Sequence, residues 1–171
     1  METSLYHLTV PILIRGLERL SSFLRKGEAY SNDSQHPNEE MLNARLYPDM
    51  FTLTQQVQYA YFSAIEITEH LSGKAAPKLA YDETTFAQLE SSLKTVLNYL
   101  HDISPKDIDG KESTPVPLYW DKTVTLPGLD YVQEVGLPNF FFHSVTAYGI
   151  LRNFGVKLGK SDYIGEVSAG Q

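Results

Sequence analysis

Two stretches of the chain hold side chains with chemistry to offer. The first, residues 137–148, reads LPNFFFHSVTAY and sets one imidazole, His143, against three consecutive phenylalanines. At about 3.6 residues per turn, Phe140, His143, Ala147, Leu151 and Phe154 share a helix face. An otherwise apolar stripe therefore carries a histidine in its middle, with Asn139 one turn earlier on the same side. The second stretch, residues 45–57, contains Arg45, Asp49 and Gln56. A helix continued through it points Arg45 and Asp49 the same way as Leu53, Val57 and Ala60. Set face to face, the two stretches give His143 as acid/base and Asp49 as the carboxylate that orients it. Arg45 then serves as an anion or carbonyl contact, and Gln56, Asn139 and Tyr148 complete a ligand-binding set.

The same residues admit a structural reading. A lone core-facing histidine is commonly a satisfied buried residue, because an unpaired buried polar group costs about 1–3 kcal/mol. Arg45 and Asp49 also fit a helix-end ion pair, Asp49 an N-cap after Pro48, and Asn139 a cap beyond a kink. Tyr119, Trp120 and Tyr131 serve either as hairpin packing or as a ligand platform. Convergence favours a site, since polar groups from two separate segments project from faces that are otherwise apolar.

Four amphipathic helices must position these groups. The first carries the stripe Val10, Leu13, Leu17, Leu20, Leu24, with Thr3 or Ser4 as cap and Pro11 expected to bend its first turns. A polar loop over 31–38 and a short helical lead-in over 39–46 follow. The second helix is expected to open at Asp49, to run through Leu53, Val57, Ala60, Ala64, Ile67 and Leu71, and to stop at Gly73. Thr84 or Thr85 caps the third, whose stripe is Phe86, Leu89, Leu93, Val96 and Leu100. Residues 111–128 read as a small β-hairpin or an ordered loop, with Asp121–Lys122 at the turn. The last helix spans about 130–154 and kinks at Gly136 and Pro138. The expected division is a bundle domain over 1–156 and a polar tail over 157–171.

Composition narrows the partners. A net charge of −7 with no lysine/arginine cluster argues against nucleic acid. The absence of cysteine removes disulfides, thiolate metal ligands and a cysteine nucleophile together. No apolar run approaches about 18 residues, so a membrane is not an expected partner, and the N-terminus lacks a basic leader. The expectation is a cytoplasmic all-α protein, a four-helix bundle.

The stretches SLYHLTVPILIRGL, ARLYPDMFTLTQQVQ and LPNFFFHSVTAYGILR resemble a bacterial and fungal domain-of-unknown-function family of the DinB/YfiT-like superfamily. The likeness runs along nearly the whole chain, and LPNFFFH is its specific part. It implies an up-down-down-up bundle with a ligand pocket at one end, where many relatives hold a divalent metal through three histidines. Two of those lie four apart on the last helix; here His143 is present but Ala147 stands in the second place. A site from His143, Asp49 and Gln56 is conceivable for Zn²⁺, Ni²⁺ or Fe²⁺, yet amides are poor ligands for these ions, so no tight metal is expected. Three readings stay open: an enzyme using a metal or a His–Asp pair, a small-molecule binder without turnover, and a self-associating bundle. A homodimer is compatible with each.

Overall fold

The computed structural model describes residues 4–34 and 36–165. The expected cap at Thr3 and the last part of the expected tail, 166–171, lie outside them. In chain order the elements are α1 (Val10–Ser34), α2 (Asn38–Leu42), α3 (Leu53–Ser72), α4 (Phe86–His101) and α5 (Pro105–Ile108), then strands β1 (Pro115–Leu118) and β2 (Asp121–Pro127). They continue with α6 (Gly128–Tyr131), a π-helical turn (Val132–Gly136), α7 (Leu137–Phe154) and α8 (Lys160–Ile164).

The apolar stripes expected on the four main helices are the core. Leu13, Leu17 and Leu20 of α1, Val57, Ala60 and Ile67 of α3, Leu89, Leu93 and Val96 of α4, and Phe140, Ala147 and Leu151 of α7 are all fully buried. Side-chain contacts fix the helix directions. On α3 and α4, Glu83 just before α4 reaches Gln58 and Tyr61, while Tyr99 near the end of α4 donates to the carbonyl of Lys74, so the two helices run parallel. On α3 and α7, Gln56 meets His143 and Ser63 meets Asn139, so these run antiparallel. On α1, Ser21 bonds Glu90 and Gly27 abuts both Phe86 and Leu151, which sets α1 against α4 and along α7. The result is the up-down-down-up, all-α bundle that the resemblance implies. Residues 73–85 make its parallel step possible: extended at about 3.3 Å per residue, they can retrace the roughly 30 Å length of α3.

Several boundaries differ from expectation for local reasons. α1 begins only at Val10, so Pro11 sits in the first turn, where a missing N–H costs nothing, and does not bend the helix. α3 begins at Leu53, because Thr52 and Gln55 form a capping box that ends the helix on its N-terminal side. Thr85 and Gln88 cap α4 in the same way. The hairpin forms, with Leu118 opposite Asp121, so its turn is Tyr119–Trp120 and not Asp121–Lys122. The expected kink before Asn139 takes the form of the π-helical turn: Leu137 N–H donates to the carbonyl of Val132, five residues back, ahead of Pro138, which has no N–H to give. Gly136 lets that turn lie on α3, since a Cβ there would fall 2.6 Å from Ile67 Cγ1. Beyond α7, the polar-tail expectation gives way through residue 165. Leu158 is buried, Tyr163 stacks on Phe23, and Lys26 pairs with Asp162 at 2.5 Å. Among the described residues no helix is long and apolar enough to cross a membrane.

Candidate functional site

His143 lies inside the bundle, 5% exposed, and its Nδ1 is 2.7 Å from Gln56 Oε1. The Gln56 amide nitrogen donates to the Phe51 carbonyl at 3.3 Å, so its oxygen faces the ring and Nδ1 carries the donated proton. The imidazole also sits in a stack of near-parallel rings. Phe51 and Tyr59 are 4.7 Å apart, and His143 is 5.1 Å from Tyr59 and 6.2 Å from Phe51, centroid to centroid. Phe142 meets the imidazole edge-on at 5.1 Å. Burial pushes the His143 pKa down to about 4, so the ring is neutral at neutral pH.

The stripes of α3 and α7 face each other as expected, and His143 finds Gln56, but the His143–Asp49 pair does not form. Asp49 is exposed in the turn ahead of Thr52, outside the helix on which the expectation had placed it. Arg45 is also exposed there, its guanidinium donating to the Met50 carbonyl. The physical cause is the Thr52–Gln55 capping box: helical periodicity cannot be carried backwards through an N-cap. Asn139 donates to Ser63 Oγ at 2.8 Å, one turn from His143 and not bonded to it. Tyr148 turns towards α1 and packs edge-on against Phe23, away from the imidazole. The expected set thus separates into His143 with Gln56, Asn139 with Ser63, and three outlying residues.

A cleft opens on the neighbouring face of α3. It encloses about 400 Å³ and is lined by Gln55, Gln58, Tyr59, Phe62, Tyr81 and Tyr119. Gln55, Tyr59 and Phe62 recur at helical spacing, a second stripe beside the apolar one; Tyr119 comes from the hairpin turn and Tyr81 from the 73–85 connector. Phe62 meets Tyr59, Tyr81 and Tyr119 with centroids 6.0–6.4 Å away and ring planes 70–87° apart. The three tyrosine rings therefore stand at steep angles to Phe62 instead of stacking flat on it. Tyr81 has φ +57°, the one non-glycine residue at positive φ among the described residues. Such a conformation costs roughly 1–2 kcal/mol in a bulky L-residue and persists only where its surroundings impose it.

Glu83, two residues on and 8% exposed, anchors the connector beside it. Its carboxylate accepts from Gln58 Nε2 at 2.7 Å, from the Tyr61 hydroxyl at 2.9 Å and from the Ser92 hydroxyl, which fastens the connector to both α3 and α4. Burial pushes the Glu83 carboxyl up, but the bonds from Ser92, Gln58, its own backbone and Tyr61 outweigh it and hold the pKa below the ordinary carboxylate value. A second, polar cavity of about 610 Å³ adjoins the aromatic one through Gln55, Gln58 and Tyr81, and it includes Asp82, Glu83 and Arg45. Of these cleft residues the sequence reading singled out only Tyr119 and Arg45. The signal that could have found part of the rest is the stripe Gln55, Tyr59, Phe62, Glu66; Tyr81 and Glu83 carry no local signal.

The donors around His143 do not fit the three-histidine metal site that the resemblance implies. Ala147 replaces the second imidazole, a carboxamide occupies Nδ1, and the rings of Phe51, Tyr59 and Phe142 fill the surroundings. Among the described residues no group of three His, Cys, Asp or Glu could hold a metal ion.

The bundle and its helix directions define a DinB-like protein. The chain is similar to the crystal structure of a DinB family member from Shewanella denitrificans, with a TM-score of 0.92 and 35% identity over 98% of this chain and 95% of that one. More narrowly, the chain belongs to the family described as Domain of unknown function (DUF1993), whose model matches residues 5–164. No curated protein matches it.

Proposed function

We propose that this protein binds a small, partly aromatic or apolar molecule in the cleft between α3, the connector and the hairpin turn, without acid/base turnover at His143. The observation that carries this reading is the Tyr59–Phe62–Tyr81–Tyr119 enclosure. It has a volume within the usual ligand-pocket range of about 300–1,000 Å³, rings from three separate segments, and two carboxamides at its edge. Tyr81 adds a backbone held in an unfavourable conformation at the cleft wall, the kind of feature concentrated at ligand clamps. His143 supports the same reading from the other side. A general acid/base works best with a pKa near the operating pH and within reach of the substrate, whereas this ring is 5% exposed, neutral and bonded to a carboxamide. Its part is to hold α7 on α3 and to back Tyr59.

The test is a fragment screen read by amide chemical shifts on the labelled full chain. Binders should move the signals of Gln58, Tyr59, Phe62, Tyr81 and Tyr119 together, and Phe62→Ala should abolish the response while His143→Phe preserves it. Binding that is indifferent to Phe62 and lost with His143 would overturn the reading.

A further inference from the structure

A buried carboxylate without a cation stands directly behind the cleft. Glu83 is held in its ionised form, yet among the described residues no lysine, arginine or histidine lies within 4.0 Å of it. Its partners are an amide and two hydroxyls, all neutral donors. Buried charges are ordinarily paired with an opposite charge; here neutral donors hold the carboxylate ionised, so its negative charge stands with no cation of the protein beside it. Gln58, which bonds the carboxylate at 2.7 Å, lines both cavities, and Glu83 itself lines the polar one.

The rest of the neighbourhood has the same sign. The six residues of the aromatic cavity carry no formal charge, and the adjoining cavity has the carboxylates of Glu39, Asp82 and Glu83 against one cation, Arg45, which is turned onto the Met50 carbonyl. The Tyr81 hydroxyl is pushed up first by burial and then by the negative field of Glu66, Glu83 and Glu69. Aromatic faces present negative charge to a guest, and Tyr59, Tyr81 and Tyr119, each at a steep angle to Phe62, bring rings from three segments to the border of one cleft.

We infer that the cleft selects an organic cation: a substituted ammonium group enclosed by Tyr59, Phe62, Tyr81 and Tyr119, with its charge balanced through Gln58 by the buried Glu83 carboxylate. This rests on the reading of the cleft as a ligand site and adds the chemical class of the ligand. The strained Tyr81 then has a reason, since it closes one wall of the enclosure while Glu83, two residues on, supplies the charge. An anion is disfavoured by the same field, and a neutral isostere gains the ring contacts without the charge.

The experiment titrates the full chain with phenyltrimethylammonium and with its uncharged isostere tert-butylbenzene. Emission of the lone tryptophan, Trp120, whose ring lies 4.7 Å from Tyr119, is the readout, backed by amide shifts. The cation should bind at least about tenfold more tightly, with a preference that narrows as salt is raised. Glu83→Gln, checked for folding by circular dichroism, should shrink the ratio of the two affinities several-fold, since any change in the cleft walls acts on both compounds alike. If that variant does not fold, the salt dependence in the native chain decides. Equal affinity for the two compounds overturns the cation assignment and leaves the cleft reading standing. Saturable binding of neither overturns the assignment, and the cleft reading is then judged by the fragment screen alone.

Discussion

His143 and the aromatic cleft lie on adjoining faces of α3 and share Tyr59, yet they are opposites. The first has the reactive side chain and little exposure. The second has access and no group suited to proton transfer. In each, a polar group is buried and bonded: the imidazole Nδ1 to one carboxamide, the Glu83 carboxylate to three neutral donors. The difference is what the burial does to charge. The imidazole sheds its proton and becomes neutral, so nothing is left to compensate; the carboxylate keeps its charge and casts a field into the open cleft. The residue with the most chemistry in its formula is therefore not the one placed to meet a ligand.

The largest expected effect breaks the cleft side of this comparison. Glu83→Ala strands Gln58, Tyr61 and Ser92 and frees the Glu83 end of the connector from α3 and α4. Leaving three buried partners unsatisfied should cost about 3–5 kcal/mol, measured by urea unfolding. Proteolysis around residues 80–84 should rise with it, whereas the first part of the connector keeps its own ties, Lys74 to Tyr99 and Asp107 and the Ala76 N–H to Glu69. A loss under about 1 kcal/mol would mean that Glu83 does not fasten the connector.

Next in size is His143, and here pH does the work. Its pKa is about 4 when folded against 6.5 as the ordinary value, so the unfolded chain binds the extra proton in the interval between. Stability is accordingly full above about pH 6.5, falls as pH drops towards 4, and levels off below, a total of roughly 3 kcal/mol. His143→Phe should remove that part of the slope. At pH 8 it should lower stability by about 1–3 kcal/mol by orphaning Gln56 Oε1. Subtracting the variant's pH–stability curve from that of the native chain isolates the residue. A difference curve flat between pH 4 and 6.5 would show that the ring is not buried neutral.

Much of the bundle was legible in the sequence because helix stripes report directly on burial. Leu13, Val57, Leu93 and Leu151 fall where period and apolarity put them, and His143 was expected inside for the same reason. Pro138 announced a break in the backbone ladder, though not that a π-helical turn would absorb it. The candidate site was less legible for two physical reasons. A stripe has no built-in end, so Asp49 and Arg45 were carried onto α3, although the Thr52-Leu53-Thr54-Gln55 pattern of a capping box stood in the way. The connector has no period at all: nothing local shows that Tyr81 turns left-handed or that Glu83 is buried, and the partners of Glu83, namely Gln58, Tyr61 and Ser92, come from distant segments.

The smallest expected effect on stability is the sharpest on function. Tyr81 stands at φ +57° with its ring 5.4 Å from Tyr61 and 6.4 Å from Phe62, but 40% of its surface is exposed. Replacing it with glycine relieves a left-handed strain of about 1–2 kcal/mol. It also gives up half-buried ring contacts and adds freedom to the unfolded chain, each of similar size and opposite sign. Tyr81→Gly should therefore change stability by less than about 1 kcal/mol while weakening any cleft ligand at least about tenfold, because one wall is gone. A structural role predicts the reverse: a marked loss of stability with binding intact. Measured together on one variant, the two quantities distinguish a strained residue kept for its ring from one kept for its packing.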